Sequence, residues 1–540
     1  MTNNTAHIDT FARDALPPTA QQAEYLFDLD ALQFPEQLNC AVELLDNKIE
    51  RGLGDKIAIQ SAETKWTYQQ LLDNANRIAH VLCDDLGLVT GNRVLLRAPN
   101  NPMMAACWLA VVKAGGIVVA TMPLLRARDL QPIINKAEVE FALCDERLKD
   151  ELLEAQKLCS HLKTIYLFDA SANIEAGTEL EKRMLSKAST FPNVKTASDD
   201  IVLIAFTSGT TGQPKGTLHF HRDVMAMCVC VGDELIKPAP DDVFIGSPPL
   251  AFTFGLGMSL ALPLHAGATT TLVEMPSPDN LSQAIEEFGA TICATAPTAY
   301  RAMMTEANKT KFASLKKTVS AGEHLPLPTY LEWQKLTGIK MIDGLGATEM
   351  LHIFISATDD DIRHGATGKA LPGYECCVLG DDDLPLPPDE NGRLAVKGPT
   401  ACKYLADERQ LKYVINGWNL TGDICYMDVD GYVFYQGRAD DMIISSGYNI
   451  SGPEVEAALL SHDTVAECAV VASADKDRGT IVKAFVVLRG TINGSEKLIT
   501  DLQDFVKESI APYKYPRAIE FVESLPKTQT GKLQRHKLRD

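Results

Sequence analysis

The chain has no surplus of positive charge: 51 Lys and Arg stand against 71 Asp and Glu, a net −20 over 540 residues. A nucleic acid or an anionic membrane is thereby excluded as the main ligand, although a local positive site can still hold a nucleotide. Nor is there a CxxC pair or a Cys/His zinc spacing among its 13 cysteines. Cys228-x-Cys230 and Cys376-Cys377 are the close pairs, both in apolar surroundings. Buried free thiols in a reducing cytosol fit that usage, so the expected location is cytoplasmic. The opening residues, Met1-Thr-Asn-Asn-Thr-Ala-His, lack a charged region followed by an apolar one, and no signal peptide is expected. The long apolar stretch Met103–Leu125 is broken by Lys113 and by Gly115-Gly116. It reads as a core helix to Ala114, a Gly-Gly turn and a strand Ile117–Ala120 rather than a membrane span. Fixed-period repeats and low-complexity tracts are absent.

What is present is bulk and alternation. At 540 residues the chain exceeds one ordinary domain, and 46% hydrophobic residues suffice for a large core. Residues 1–50 read as a lead-in. Ile57–Gln60 and Lys65–Thr67 read as a hairpin. Leu71, Leu72, Ala75, Ile78, Ala79 and Leu82 give Tyr68–Leu86 a helical period. Strands alternating with helices to about residue 350 imply an α/β fold with parallel-rich sheets. Short strands and turns come next. After Gly437-Arg-Ala-Asp-Asp441 comes a compact α+β pattern: a helix starting near Pro453 with Ser451 or Gly452 as cap, strands at Ala469–Ala472 and Ala484–Leu488, and a helix over Leu498–Ile510. The expected division is a large domain over 1–439 and a small α+β domain over 440–540, joined by a hinge.

Residues 205–216 read Ala-Phe-Thr-Ser-Gly-Thr-Thr-Gly-Gln-Pro-Lys-Gly behind the apolar run Ile201–Ala205. The run is a buried strand; Gly209, Gly212 and Pro214 break it into a loop. Glycines admit an anion close to backbone N–H groups, and Thr207, Ser208, Thr210, Thr211 and Lys215 add donors and charge. A polyphosphate is the natural guest. This is not a Walker A loop, because Lys215 follows Pro214 and precedes Gly216 rather than Ser or Thr.

The order Thr-Ser-Gly-Thr-Thr-Gly-x-Pro-Lys-Gly resembles the signature of the adenylate-forming superfamily, which holds acyl- and aryl-CoA synthetases, adenylation domains and firefly luciferase. Six motifs in family order span about residues 205–535. Asp343-Gly-Leu-Gly-Ala-Thr-Glu349 resembles the segment that contacts the acyl-adenylate. The resemblance assigns Thr348 to the α-phosphate and Glu349 to Mg2+, a hard cation that prefers oxygen ligands. Gly344 and Gly346 would let backbone approach a flat ligand. Ser320-Ala-Gly-Glu323 resembles the adenine-side loop, with Ala321 where many members carry glycine beside Gly322 and Glu323. Asp423 of Thr421-Gly-Asp and Arg438 match the ribose clamp, and Asp440 the hinge. Pro526-Lys-Thr-Gln-Thr-Gly-Lys532 resembles the last core motif, making Lys532 the main catalytic residue: its ammonium would stabilise charge developing between carboxylate and phosphate. Ser445-Ser-Gly447-Tyr-Asn-Ile450 resembles the loop lining the pantetheine tunnel, and Arg478 is a weaker phosphate contact.

The implied reaction has two steps. A carboxylate attacks the ATP α-phosphate to give acyl-AMP and pyrophosphate, then a thiol, most often coenzyme A, displaces AMP. Glu349-Met-Leu-His-Ile-Phe354 and Ala251-Phe-Thr-Phe-Gly-Leu-Gly257 resemble the benzoate–CoA ligase branch. There Thr253 and Phe254 would flank an aromatic acid, with phenylalanine at 254 where the branch often has tyrosine, and His352 either faces the ring or packs in the core. The opening His7-Ile-Asp-Thr-Phe-Ala-Arg-Asp and Asn92–Asn101 resemble 2-aminobenzoate–CoA ligases. Loading of an acyl-carrier protein and activation of another small carboxylic acid are the alternatives within the superfamily. A non-catalytic nucleotide-binding regulator is opposed by Lys532, Glu349 and Asp423 all being present. His219-x-His221 has no third metal ligand nearby. A homodimer is compatible with the sequence.

Overall fold

The computed structural model describes residues 5–170, 177–207, 213–445, 448–475, 479–490, 492–527 and 533–539. Its body is built on two sheets. In one, strands run in the order 164–168, 141–145, 93–97, 117–121, 201–207, all parallel, with 215–220 antiparallel at the edge. In the other, six parallel strands (57–60, 269–271, 243–246, 292–295, 317–321, 342–346) are flanked by antiparallel 65–67, 353–356 and 369–370.

Strand alternation sorts the cores. Val94 and Leu96 share the central core with Phe244, Ile292, Ala294 and Val319 of the second sheet. Leu95 points the other way, into the outer core with Leu130, Ile134 and Leu152, and Ile245 and Cys293 likewise face the helices beyond the second sheet. Helices therefore lie between the sheets and on both outer faces. The helix Pro102–Lys113 is buried on every side, which is why its sequence is apolar all round. Asn101 caps it by accepting from the Met104 N–H at 2.9 Å. Its one cation, Lys113, is fully buried and pairs with Asp46 at 2.5 Å. The Gly115-Gly116 turn (Gly115 φ +72°) leads into Ile117–Thr121, as expected. Among the described residues no helix is long and apolar enough to cross a membrane.

The next part of the chain forms an antiparallel sheet (375–379, 392–397, 418–427, 414–415, with 433–438 on 418–427). Beyond 440, strands 465–475 and 479–488 pair antiparallel and 518–521 joins 479–488 in parallel. The helix Gly452–Leu460 is capped by Ser451, whose hydroxyl accepts from the Glu454 N–H. Helix Glu496–Ser509 completes a separate core around Val455, Leu459, Val470, Val486, Leu502 and Val506. The fold is a large α/β body with a small C-terminal α+β unit.

Candidate active site

In open parallel sheets, ligands bind beyond the carboxyl ends of the strands. Most of the candidate residues lie there. Strands 243–246, 292–295, 317–321 and 342–346 are neighbours, and they are followed by Thr253-Phe254, by Pro297, by Gly322-Glu323 and by Thr348-Glu349 respectively. The chain leaves strand Ile201–Thr207 and returns as Lys215–Phe220, with Thr207 registered against Lys215. The motif thus closes a hairpin. Ser208, Gly209, Thr210, Thr211 and Gly212 lie outside the described residues, as do Lys532, Gly447 and Arg478.

The Thr348–Met350 turn is held from two sides. On one side the His219 ring, fully buried, meets the Thr348 carbonyl at 2.8 Å through Nε2. Its Nδ1 faces Asp223 at 3.6 Å. Asp223 in turn accepts from Lys403 at 3.0 Å, and both are fully buried. Lys403 also donates to the Tyr25 hydroxyl and to the Ala401 carbonyl, so all three of its protons are used. Burial works to raise Asp223, but the Lys403 ammonium and His219 outweigh it and hold the carboxyl at about 2. Burial lowers His219, while the Asp223 carboxylate and the Thr348 carbonyl that its two nitrogens face pull the other way. On the other side the Tyr404 hydroxyl donates to Glu349 Oε1 at 2.5 Å and stands 3.3 Å from Lys215 Nζ. Burial and the neighbouring carboxylate push that phenol far above its usual range, so it stays a donor. Leu351, next in line, has φ +69°, a strained left-handed value for a side chain of its size, and the turn carries the chain into His352.

Asp343 is half-buried, and its Oδ1, itself shielded from solvent, has no hydrogen-bond partner. Burial pushes its carboxyl up to about 8. The glycines around it have a packing reason: a Cβ on Gly344 would meet the Ile353 side chain at 2.4 Å, and on Gly346 the His352 carbonyl at 2.7 Å. Gly322, by contrast, has φ +87° and open space where a Cβ would stand. Ala321 ends its strand buried. Glu323 Oε1 accepts from the Leu533 N–H at 3.3 Å, which brings the residue after Lys532 against the 320–323 segment.

Asp423 and Arg438 sit opposite each other on paired strands and join at 3.0 Å. Arg438 also donates to the Thr421 carbonyl at 2.9 Å. The chain then turns at 438–441, with Asp440 exposed.

Phe254, half-buried at the start of Thr253–Leu256, meets the His352 ring at 5.5 Å between centroids and 55° between planes. His352 is 4% exposed, and neither ring nitrogen has a hydrogen-bond partner. Burial lowers it to about 4, so it is neutral. It packs in the wall and faces Phe254 as well. A Cβ on Gly257 would lie 2.4 Å from the same ring; the glycine makes room for it.

The residues at 7–14 and 92–101 meet each other. Asp9 accepts from Asn92 at 2.8 Å and from Arg93, at the amino end of strand Arg93–Arg97 and thus at the opposite edge from the strand ends above. His219 and His221 part company: His221 Nδ1 lies 3.2 Å from the Cys40 N–H. Among the described residues no cluster of His, Cys, Asp and Glu is arranged for a metal ion. Sequence reasoning passed over Tyr404, Lys403 and Asp223; the strand-like segment around Tyr404 carries no pattern that would have marked them.

Asp423 and Arg438 thus pair across one sheet, and the hairpin through Thr207 and Lys215 closes the edge of another. The chain belongs to the AMP-binding enzyme family: the family's model matches residues 46–405, and that of the AMP-binding enzyme C-terminal domain matches residues 454–532. Within it the chain lies with the benzoate–CoA ligase branch. It is 34% identical over 516 residues to the benzoate–CoA ligase of Thauera aromatica, covering 94% of this chain and 97% of that protein. The crystal structure of the anthranilate CoA ligase AuaEII in complex with anthranoyl-AMP superposes with a TM-score of 0.89 at 31% identity, over 94% of this chain and 98% of that one. A benzoate CoA ligase from Burkholderia xenovorans LB400 gives 0.85 at 30% identity, over 93% and 100%.

Proposed function

We propose that the protein is an ATP-dependent aryl-CoA ligase acting on 2-aminobenzoate or a close benzoate. The Phe254–His352 pair carries this reading: a flat ring against a buried, neutral imidazole with no partner on either nitrogen. Phe254 suits stacking on an aromatic acid. A neutral imidazole offers one donor and one acceptor, and an amine on the ring can use the acceptor. The similarity to an anthranilate CoA ligase supports the same substrate class.

In the first step the acid's carboxylate attacks the α-phosphate of ATP, and pyrophosphate leaves. Lys215 and the loop 207–212 hold the polyphosphate. The orphaned Oδ1 of Asp343 accepts from a nucleobase amine, Asp423 and Arg438 hold the ribose, and Gly322 admits backbone to the base. The Thr348 hydroxyl contacts the α-phosphate. Glu349 beside Thr348 offers hard oxygen donors of the kind Mg2+ takes, and the ion when bound would neutralise phosphate charge. Lys532 stabilises charge as it develops, so catalysis is positioning plus electrostatics. In the second step the unit over 440–540 turns about Asp440, Gly447 lines the path of the pantetheine, and the thiol of coenzyme A displaces AMP.

Pyrophosphate release across a panel of carboxylic acids, with and without coenzyme A, tests this. Turnover on 2-aminobenzoate or benzoate with thioester formed is the expected result. Activity confined to aliphatic acids overturns the aryl assignment, and adenylate without thioester points to a carrier protein as acceptor. Lys532→Ala should abolish adenylation while sparing thioester formation from supplied aryl-AMP; equal losses in both half-reactions would remove Lys532 from its role.

A further inference from the structure

We infer that Tyr404 is a positioning residue for the cation and phosphate end of the site: its hydroxyl keeps the Glu349 carboxylate and the Lys215 ammonium apart and aims each at its own task. This rests on the reading of Glu349 as the cation ligand.

A phenol hydroxyl has one proton to give and lone pairs to receive. Here the proton goes to Glu349 Oε1 at 2.5 Å, which leaves the oxygen free to accept from Lys215 Nζ at 3.3 Å. The ammonium also stands 5.2 Å from the centroid of the same ring. Tyr404 is therefore inserted between two opposite charges that would otherwise attract each other. A direct Lys215–Glu349 pair would occupy the carboxylate that a divalent cation needs. It would also occupy the ammonium that a polyphosphate needs.

The hydroxyl has little freedom to do anything else. Tyr404 is 1% exposed. Its segment is bonded along the strand that closes the phosphate loop: the Leu218 N–H donates to the Lys403 carbonyl at 2.7 Å, and the Leu405 N–H to the Gly216 carbonyl at 2.8 Å. The Tyr404 N–H donates to Gln410 Oε1 at 2.9 Å, and Tyr413 packs edge-on at 5.7 Å between ring centroids. One tyrosine thus ties the exit of the phosphate loop to the Thr-Glu turn.

The test is calorimetric titration of ATP into the whole protein at a series of MgCl2 concentrations, beside KM values for ATP and for benzoate. Tyr404→Phe keeps the ring and its packing. It should raise the Mg2+ concentration for half-maximal ATP binding roughly tenfold, a free-energy change of about 1.4 kcal/mol, with the KM for benzoate unchanged. Adding Lys215→Met should return the Mg2+ requirement of Tyr404→Phe towards wild type while ATP affinity stays low, because the competing ammonium is gone. An unshifted Mg2+ requirement in Tyr404→Phe, or a double variant no different from it, overturns the inference. If Tyr404→Phe fails to fold, Lys215→Met alone decides: ATP affinity falls at an unchanged Mg2+ requirement if Tyr404 holds Glu349, and a shifted requirement overturns the inference. Glu349→Gln separates the two levels. If it leaves the Mg2+ dependence untouched, the reading of Glu349 fails; if it shifts the dependence and Tyr404→Phe does not, only the role of Tyr404 fails.

Discussion

Lys403 and Asp223 are each fully buried, and each is tolerable only in the presence of the other. Removing one charge leaves the second uncompensated in an apolar interior. Lys403→Met should therefore cost about 3–5 kcal/mol of stability in a urea titration, far more than an exposed pair would. A loss below about 1 kcal/mol would mean water reaches Asp223. Asp343 gives a pH signature of the opposite kind. Its carboxyl is pushed up to about 8 in the folded chain, so the folded state holds a proton that the unfolded state releases. Its contribution is complete below the ordinary carboxylate pKa of about 4, and stability falls as pH rises from there towards 8. Asp343→Asn should flatten that slope, which denaturation midpoints at several pH values would reveal. Thr348 and Glu349 stand out in the sequence because their order in the chain is itself a motif. Lys403, Asp223 and Tyr404 do not, since their partners lie 180 and 55 residues away and nothing local announces the pairing.

At the scale of elements, the turn carrying Phe254 is tightly determined. A Cβ on Gly255 would fall 2.0 Å from the Pro249 carbonyl oxygen, which belongs to backbone and cannot swing aside. Gly255→Ala should displace Phe254 and raise the KM for the aromatic acid about tenfold or more while leaving that for ATP near its wild-type value, since small misplacements of a positioning group cost that much. Equal changes in both would mean the turn serves the whole fold. Most elements were readable from period and punctuation: the helical period over Tyr68–Leu86 is met by Tyr68–His80 continued through Val81–Asp85, and the apolar stretch up to Ala114 by Pro102–Lys113. The strand 518–521 was missed, because its four residues gain their meaning from pairing with 483–486. On sequence grounds Gly344 and Gly346 read as letting backbone approach a flat ligand. The close fit of Ile353 and of the His352 backbone supplies the packing reason, and only the folded register exposes it.

For the whole molecule, of the two stretches resembling 2-aminobenzoate ligases, 7–14 is fastened by Asp9 to Asn92 and Arg93, at the amino edge of a sheet. Asn100, past the carboxyl end of the strand, instead donates to the Pro248 carbonyl at 3.0 Å and accepts from the Leu250 N–H at 2.7 Å, which holds the segment ahead of Phe254. The exposed turn at Asp440 is the proposed axis of domain rotation. Proline there would fix φ near about −65° and stiffen the turn. Asp440→Pro should leave pyrophosphate release within about twofold of wild type and slow thioester formation at least roughly tenfold, as expected of a gating step. Equal slowing in stopped-flow assays of the two half-reactions would place the axis elsewhere.

The thiols, finally, are spread so that each major core holds at least one sealed from solvent, among them Cys107 between the sheets, Cys144 under the outer helices, Cys293 beneath the second sheet and Cys468 in the C-terminal unit. Burial keeps all four protonated, so an alkylating reagent reaches them only when their layer opens. The order in which they become labelled under native conditions is then a clock for local unfolding. Cys468 reacting well ahead of Cys293 would mean that the C-terminal unit breathes on its own while the body stays closed.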